Sequence, residues 1–492
     1  MKLSKNYLNI LKLILYFCLF SVFVFALGTN FNMIDFDIFN RLINGDYFIS
    51  HHKLLQNDFL SCLPTHNSFD PEWLANILFS FVLKKFDAVG LNFLKCFLFL
   101  LASVSISFPL YFSKKKAYSI CLLFPILFLI SGSIFYLRCQ IISFIFLPIF
   151  LYFLEKIKNS PKPKYFLFLA LLNLIWQNCH GGFLISFVII FLYIFGDLFN
   201  KKPVKKYFIL FAILFFTVLI NPWGVDYYGF LFESFIVDRN YISEWKSPIL
   251  HNIQGAKIYV AFAFCSFIYF FKKNINVNKI EYSHLFLITF FFFYSLVYYK
   301  FSSLYMVVLI FSLIKYNKIP VTKKIFDVCV YSFVFVYSIF VFYSIPFEYS
   351  HIRVVSRIFP FYPVEFLKLN ELKGNIYAPF GISGYISYKT YPNLKTFVDG
   401  RQEQVFSRKI LKNNVDFMYQ KNNMLVENTP VDYFLCQKGL AFENYVKESK
   451  KYKKIYEYGL YSVYSSDFSN RNYKIPNKDL FYYLDDIFVK SF

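Results

Sequence analysis

The sequence predicts an α-helical membrane protein with about 11 transmembrane helices, followed by a small α/β domain outside the membrane. The 492 residues are 57% hydrophobic and include 70 Phe and 41 Tyr, which is more apolar surface than one soluble core buries. Apolar runs of membrane-spanning length alternate with short lysine clusters. From about Glu348 onwards the composition changes to mixed charge with Pro, Gly and Asn. These three observations together predict the fold class.

The first predicted span is 7–27, which is long enough to cross a bilayer and which we interpret as a retained helix rather than a cleaved signal sequence. The shorter apolar run 72–86 ends in lysines and predicts a helix at the outer membrane interface. The remaining predicted spans are 91–112, 117–136, 141–154, 165–176, 183–199, 207–220, 258–271, 284–298, 302–314 and 325–345.

Lysine clusters set the predicted orientation, with the N-terminus in the cytoplasm. All of them then fall on the cytoplasmic side, as the positive-inside rule requires: 114–116, 156–164, 201–206, 272–279 and 315–324. The acidic first loop, the polar segments 138–140, 177–182 and 221–255, Lys300 and everything after Pro346 fall outside. The sequence therefore predicts a site that opens to the outer face. Because the lysines do not form one surface, the formal charge of +22 does not indicate nucleic-acid binding.

We predict two domains. A transmembrane domain covers 1–346 and includes an acidic first outer loop at 30–90, and a soluble α/β domain outside the membrane covers 347–492. Strands are predicted at 375–377, 395–398, 431–436 and 460–464, and a helix at 442–454, with Gly374, Gly381, Gly384 and the turn 399–401 as punctuation. Nine cysteines without a CxxC pair or His/Cys ligand spacing predict neither a zinc site nor a disulfide framework.

The first outer loop contains six acidic residues between 35 and 72, in a chain where basic residues outnumber acidic ones by 52 to 30. A carboxylate just outside a membrane helix can act as a general base toward a hydroxyl, or hold a divalent cation beside a phosphate. The other interpretation is that these acids only keep an outer loop soluble. For Asp46 and Asp70 we favour solvation.

Basic and polar residues at the ends of spans are the candidates for binding an anion. Arg138 and Gln140 border a predicted span, where a guanidinium suits a phosphate or snorkels to the interface. Lys300 lies at another span boundary and has the same two interpretations. His180, in the polar turn 176–183, binds a phosphate or a sugar hydroxyl, or is part of a structural turn.

Asn178, Glu244 and Trp245 are candidates for contacting a sugar, because an aromatic ring with a carboxylate or amide nearby forms a sugar platform. Trp also marks the membrane interface for purely physical reasons. The sequence contains neither GxxxxGK[ST] nor GxGxxG, so we expect the energy for any reaction to arrive with the substrate, as an activated lipid-linked group.

Short islands along nearly the whole chain resemble a family of bacterial polytopic membrane proteins that is similar to the GT-C superfamily of glycosyltransferases. The islands are 37–45, 57–61, 72–74, 138–140, 176–183, 221–224, 244–248, 381–385 and 399–401. They are similar to that family's Asp-x-Trp-Trp-His…Gly, Asp-Pro-Phe-Ser, His-Glu-Trp-Leu, Arg-Pro-Gln, Trp-x-Asn-x-His-Gly-Gly-Phe, Asn-Pro-Tyr-Gly, Glu-Trp-x-Ser-Pro, Gly-Gly-Tyr and Asp-Gly-Arg motifs. The chain departs from the family at Arg41, where His is usual, and at Phe39 and Asn40, which replace a tryptophan pair.

The resemblance implies a membrane glycosyltransferase of the cell envelope that uses a polyprenyl-phosphate sugar. Asp37 is then the general base, with Asp58 and Glu72 as further catalytic carboxylates, and Asp37 and Asp58 are the candidates for holding a divalent cation. The other implied site residues are Arg138, Gln140, His180 and Lys300 for the donor phosphate, and Asn178, Glu244 and Trp245 for the substrate.

Two other function classes fit the same topology. A non-catalytic scaffold or glycolipid carrier in envelope assembly needs no general base, whereas an O-antigen-type polymerase or ligase relies on arginines in later outer loops. In each case the expected partners are membrane lipids, a polyprenyl-phosphate sugar and a glycan or lipid acceptor, without nucleic acid. The expected location is the bacterial inner membrane, with the C-terminal domain outside the cytoplasm.

Overall fold

The computed structural model describes residues 11–12, 14–15, 18, 35–111, 137–251, 253, 256–275, 281–316, 353–355, 359–467, 469, 471–477 and 481–483. Its helices are α1 (Asp37–His51), α2 (Trp73–Tyr111), α3 (Gln140–Asn159), α4 (Pro163–Cys179), α5 (Ile185–Phe199), α6 (Lys205–Val218), α7 (Asp226–Ile236), α8 (Ala256–Ile275), α9 (Tyr282–Val297), α10 (Ser302–Tyr316), α11 (Phe361–Leu369), α12 (Phe380–Thr390), α13 (Arg408–Met418), α14 (Met424–Glu427) and α15 (Phe442–Glu448).

The strands are β1 (Arg353–Val355), β2 (Gly374–Tyr377), β3 (Leu394–Thr396), β4 (Tyr433–Gln437), β5 (Lys453–Tyr458), β6 (Tyr461–Ser465) and β7 (Phe481–Tyr483). Short 3-10 helices lie at Gly181–Leu184, Ser243–Trp245, Tyr299–Phe301 and Gln402–Gln404.

The chain forms two compact units. The first comprises Met1–Gly28, Asn92–Gly224 and Asp238–Ile345, and the second comprises Thr29–Leu91, Val225–Val237 and Pro346–Phe492. The first unit ends at Ile345, and the second unit resumes at Pro346. The grouping differs from the predicted one in the first outer loop, which belongs to the same unit as the C-terminal residues.

The first unit is helical. The predicted spans between 141 and 314 coincide with α3 to α6 and α8 to α10. Among the described residues, three helical stretches are long and apolar enough to cross a membrane, Trp73–Ile106, Gln140–Asn159 and Gly181–Phe199, and Tyr282–Val297 is a shorter apolar helix. The predicted spans 117–136 and 325–345, and most of 7–27, lie outside the described residues. The predicted number of about 11 spans includes these three, so it stays a prediction.

A break in α2 separates two parts that the sequence predicts to behave differently. Asp87 has a positive φ of 52°, which interrupts the helical backbone. The predicted interfacial helix 72–86 lies before this residue, and the predicted span 91–112 lies after it. The structure therefore confirms two consecutive helical segments in this part of the chain.

The second unit contains a five-stranded sheet of order β3-β2-β4-β6-β5. Strand β2 pairs in parallel with β3 and β4, whereas β6 pairs antiparallel with β4 and β5. A separate antiparallel pair joins β1 and β7. The sheet packs against a fully buried aromatic core that includes Tyr377, Phe397, Phe417, Phe434 and Phe442. These rings stabilise the sheet by removing apolar area from water.

The first outer loop extends this sheet at its β3 edge. The Cys62 N–H donates to the Thr396 carbonyl (2.9 Å) and the Thr396 N–H donates to the Leu60 carbonyl (3.0 Å). The Ser61 hydroxyl donates to the Phe397 carbonyl (2.9 Å). The predicted C-terminal domain is therefore completed by residues that lie more than 300 positions earlier in the chain.

Several local predictions in the second unit were wrong. The predicted acidic loop contains α1, whose apolar face (Ile38, Phe39, Leu42 and Ile43) is buried. The predicted helix 442–454 ends at Glu448, because 453–458 pair with β6 as strand β5. Gly381 and Gly384 lie inside α12 rather than in a turn. In each case tertiary packing overrides the local signal.

Candidate functional site

Three segments of the first unit meet at the start of α3. The Tyr299 N–H donates to the Lys246 carbonyl (3.1 Å), which joins the two 3-10 helices before and after the α8–α9 pair. The Ser247 hydroxyl donates to the Leu296 carbonyl (2.8 Å). The side-chain amide of Gln140 donates to the Lys300 carbonyl (3.5 Å). Gln140 thus contacts backbone here, and Arg138, Glu244 and Lys300 are brought together from distant parts of the chain.

Glu244 is held between two basic side chains, and we call Arg138, Glu244 and Lys300 the Glu244 clamp. Arg138 Nη1 lies 2.6 Å from Glu244 Oε2, and Lys300 Nζ lies 2.9 Å from Glu244 Oε1. All three side chains are partly exposed, at 27–29%. Burial raises the pKa of Glu244, but Lys300 and Arg138 outweigh it and lower that pKa to about 2. Glu244 is therefore ionised at neutral pH.

A further cation, Arg239, contacts the indole of Trp245 in this region. Arg239 Cζ lies 4.8 Å and Lys300 Nζ lies 4.9 Å from the centre of its ring. Arg138, Arg239 and Lys300 thus lie around Glu244 and Trp245, and guanidinium and ammonium groups suit a phosphate. Arg239 was missed by the sequence analysis. A basic residue in a predicted outer loop is the signal that could have found it.

The predicted turn 176–183 ends α4 and is tied to its surroundings by hydrogen bonds. The Asn178 side chain donates to the Leu174 and Ile220 carbonyls (2.8 and 3.2 Å), so this predicted substrate ligand contacts backbone. His180 Nδ1 lies 2.6 Å from the Ser143 hydroxyl and 3.1 Å from the Gly182 nitrogen. His180 is only partly exposed.

In the second unit, Asp37 lies in the first turn of α1, where the helix dipole favours a negative charge. Its Oδ1 comes so close to Gly400 that a Cβ at that glycine would lie 3.1 Å away. Asp37 therefore packs against the turn 399–401, which the sequence analysis singled out independently.

Asn40, one helical turn after Asp37, contacts both C-terminal glycine islands. A Cβ at Gly384 would lie 2.8 Å from the Asn40 amide, and a Cβ at Gly400 would lie 3.2 Å from Asn40 Nδ2. Asn40 is 5% exposed. The islands 37–45, 381–385 and 399–401 therefore meet around Asp37 and Asn40.

Asp58 is part of a buried ionic group that we call the Arg401 cluster, made of Asp58, Asp399 and Arg401. Arg401 lies 2.7 Å from each carboxylate, and the three side chains are at most 2% exposed. Asp58 also accepts from the Leu60 and Ser61 N–H groups (3.3 and 3.0 Å). Burial lowers the pKa of Arg401, but Asp399 and Asp58 raise it by more than burial lowers it. The pKa of Arg401 is therefore above its usual value. Asp58 thus serves to hold the turn 399–401.

The other acids of the first loop each have a separate partner. Glu72 forms an ion pair with Arg41. Asp70 accepts from the side-chain amides of Asn44 (3.1 Å) and Asn76 (2.8 Å). It is 5% exposed, and burial raises its pKa despite these two hydrogen bonds. The prediction that Asp70 only solvates a loop was therefore wrong.

Metal binding by Asp37 and Asp58 stays a prediction; among the described residues no group of three or more His, Cys, Asp or Glu that could hold a metal ion is found. Asp58 pairs with the guanidinium of Arg401 at 2.7 Å.

No protein-family model matches the sequence, and no curated protein matches it. Among solved structures, the chain is similar to ArnT from Cupriavidus metallidurans, which was crystallised with bound undecaprenyl phosphate. The TM-score is 0.48 at 9% sequence identity, and the match covers 95% of this chain and 99% of that one.

Proposed function

We propose that the chain is a membrane glycosyltransferase that moves a sugar from a polyprenyl-phosphate donor to a hydroxyl of a lipid, glycan or protein at the outer face of the bacterial inner membrane. The observation that carries this proposal is the Glu244 clamp together with Arg239. Three cations around one carboxylate lie directly before α3, a helix apolar enough to span a membrane. The phosphate of a membrane-borne lipid is the anion that fits such a position.

The carboxylate of Glu244 neutralises positive charge of Arg138 and Lys300 until a phosphate binds to them. Its two oxygens each accept from one of the cations, Arg138 and Lys300, as a phosphate would. A donor phosphate takes over these bonds and recruits Arg239 through the shared contact with Trp245. During transfer, the same cations stabilise the charge that grows on the departing phosphate.

Asp37 is the general base of the proposed reaction. It removes the proton from the acceptor hydroxyl as that oxygen forms a bond to the anomeric carbon of the sugar. The bond between this carbon and the phosphate oxygen breaks, and the polyprenyl phosphate leaves with the electron pair. The product is a glycoside of inverted configuration.

Asp58 and Glu72 act in this proposal as positioning residues. Asp58 holds the turn 399–401 through Arg401, and Gly400 of that turn contacts Asp37. Glu72 pairs with Arg41 on the same helix as Asp37 and so restrains α1. The turn 399–401 thereby helps to fix the position of Asp37, the proposed base.

Two variants test the proposal in nanodiscs of full-length protein. We expect Arg138→Ala to weaken binding of undecaprenyl phosphate by about tenfold or more, the loss of a charge-assisted hydrogen bond. We expect Asp37→Asn to keep that binding but to lower transfer from a lipid-linked sugar by about 100-fold or more. Lys257→Ala, an exposed lysine of the same unit, is the control for charge.

Normal transfer by both Arg138→Ala and Asp37→Asn would overturn the mechanism. Loss of lipid binding in Arg138→Ala, with a function in envelope assembly that survives Asp37→Asn, would instead favour the non-catalytic carrier.

A further inference from the structure

The outward side of α7 is apolar. Val225, directly before the helix, and Phe232, Phe235 and Ile236 within it are between 47% and 72% exposed. Their spacing places all four on one side, because residues 7, 10 and 11 positions apart share a face at 3.6 residues per turn. A contiguous apolar surface of this kind marks a contact with another protein or with a membrane.

The opposite side of α7 is packed in the second unit. Tyr227, Phe230 and Leu231 are at most 7% exposed. The ring of Phe230 stacks on that of Phe69, with the two centroids 5.2 Å apart. Val237, at the C-terminal end of the helix, belongs to the hydrophobic core beside the sheet. These contacts fix the rotation of α7, so its apolar outward side stays turned away from the core of the unit.

Charged residues border the apolar side of α7 and do not interrupt it. Glu233 forms an ion pair with Arg408, and the two side chains are 54% and 45% exposed. Asp226 lies in the first turn, where the helix dipole favours a negative charge. An apolar stripe with a charged edge is typical of a helix that lies flat in the interface between lipid and water.

The chain on both sides of α7 favours lipid as the occupant of this face. The 11 residues of α7 extend about 16 Å, which is too short to cross a bilayer. The chain enters α7 from the predicted span 207–220 and continues to the predicted span 258–271. Trp223, between the first of these spans and α7, is a residue type that is enriched at membrane interfaces. A segment connected to membrane spans at both ends remains close to lipid.

The second unit has another apolar face, on the first part of α2. Leu74, Leu78 and Phe81 are 37% to 49% exposed and are spaced at i, i+4 and i+7. They belong to the predicted interfacial helix 72–86. Phe69, whose ring stacks on α7, lies four residues before the start of α2. Two elements that are linked within one unit therefore both carry apolar outward faces.

We propose that α7 lies in the interface between membrane and water, with Val225, Phe232, Phe235 and Ile236 in contact with lipid, and that it anchors the unit containing the sheet to the bilayer. This contact is additional to the predicted spans and to the predicted interfacial helix 72–86. It does not depend on the proposed transfer reaction.

The lipid contact is tested by photo-crosslinking of full-length protein in nanodiscs of phosphatidylethanolamine and phosphatidylglycerol. Phe232→p-benzoylphenylalanine places the photoreactive group on the apolar side of α7. The same replacement at Tyr419, an aromatic residue of the same unit that is 45% exposed, is the matched control. We expect a severalfold higher yield of lipid adducts at position 232 than at position 419, measured by mass spectrometry of the intact protein.

Two results of the crosslinking would overturn the proposal. Crosslinks between two copies of the chain at position 232 would assign the apolar face to a dimer. Equal yields of lipid adducts at the two positions, or none at position 232, would show that α7 is not an anchor.

A second measurement does not depend on the crosslinking chemistry. Phe232→Trp and Tyr419→Trp each add one indole to the four native ones, and lipids brominated along their acyl chains quench indoles that lie among those chains. We expect brominated nanodiscs to quench the emission added by Phe232→Trp and to leave that added by Tyr419→Trp. Equal quenching in the two variants would contradict the proposal. Arg138→Ala and Asp37→Asn decide the proposed function separately.

Discussion

The two ionic groups of this protein use the same chemistry in opposite ways. The Arg401 cluster has one cation and two carboxylates, and its side chains are at most 2% exposed. The Glu244 clamp has two cations and one carboxylate, and its side chains are 27–29% exposed. The first lies in the unit that contains the sheet, and the second lies in the helical unit.

The difference separates a structural role from a binding role. A buried charge without its partner is very unfavourable, so removing one member of the Arg401 cluster destabilises its unit strongly. A partly exposed group with an excess of one charge can exchange a protein partner for a ligand at little cost. The number of acidic residues along the sequence does not distinguish the two groups, because the role of each group depends on how exposed its side chains are.

The largest effect on stability is expected from breaking the closed cluster. Arg401→Ala leaves Asp58 and Asp399 buried without their cation, so we expect a loss of about 3 to 5 kcal/mol in the free energy of unfolding. Arg408→Ala removes a pair with Glu233 whose side chains are 45% and 54% exposed, and should cost about 1 kcal/mol or less. Denaturant unfolding of the purified full chain measures both. Similar values for the two variants would remove the contrast between closed and open groups.

A smaller effect is expected from packing in the same unit. Gly384→Ala places a methyl group 2.8 Å from the Asn40 amide, and we expect overpacking to cost about 1 to 3 kcal/mol. Gly381 lies in the same helix with open space around it, so Gly381→Ala should be neutral or stabilise by up to about 1 kcal/mol. Thermal unfolding of the matched pair sharpens the comparison. Equal shifts would show that α12 does not pack on Asn40.

The open clamp should respond in ligand affinity rather than in folding. Glu244→Gln removes the charge that occupies Arg138 and Lys300, so we expect undecaprenyl phosphate to bind about tenfold more tightly. A titration in nanodiscs measures this, with Glu281→Gln as a control carboxylate outside the clamp. Weaker binding by Glu244→Gln would mean that Glu244 orients the two cations and does not compete for them.

The smallest effect is the pH dependence of the clamp. Lys300 and Arg138 lower the pKa of Glu244 from its usual 4.5 to about 2 in the folded protein. The carboxylate therefore adds stability above pH 4.5, and this stability is lost as the pH falls towards 2. The difference in melting temperature between wild type and Glu244→Gln should therefore be constant above about pH 5 and shrink below it. A difference that grows on acidification would contradict the assigned charge state.

The sequence predicted elements better than it predicted contacts. Hydrophobic periodicity and length located α3 to α6 and α8 to α10, since a helix in lipid must satisfy its own backbone. The same reasoning suggested Arg138, Glu244 and Lys300 one by one but not their shared contact. It missed Arg239 and Ser143, because neither stands out without its neighbours in space. The sequence suggested a catalytic role for Asp58. Its ion pair with Arg401 could not be predicted, because the two residues are 343 positions apart in the chain.

The pairing of residues 60–62 with β3 also sets an order of events during synthesis. The first loop is made early, yet the strand it joins follows more than 300 residues later. Contacts of such long sequence separation form slowly, and their surfaces stay exposed until the partner arrives. The second unit therefore closes only after the chain between its two halves has been synthesised.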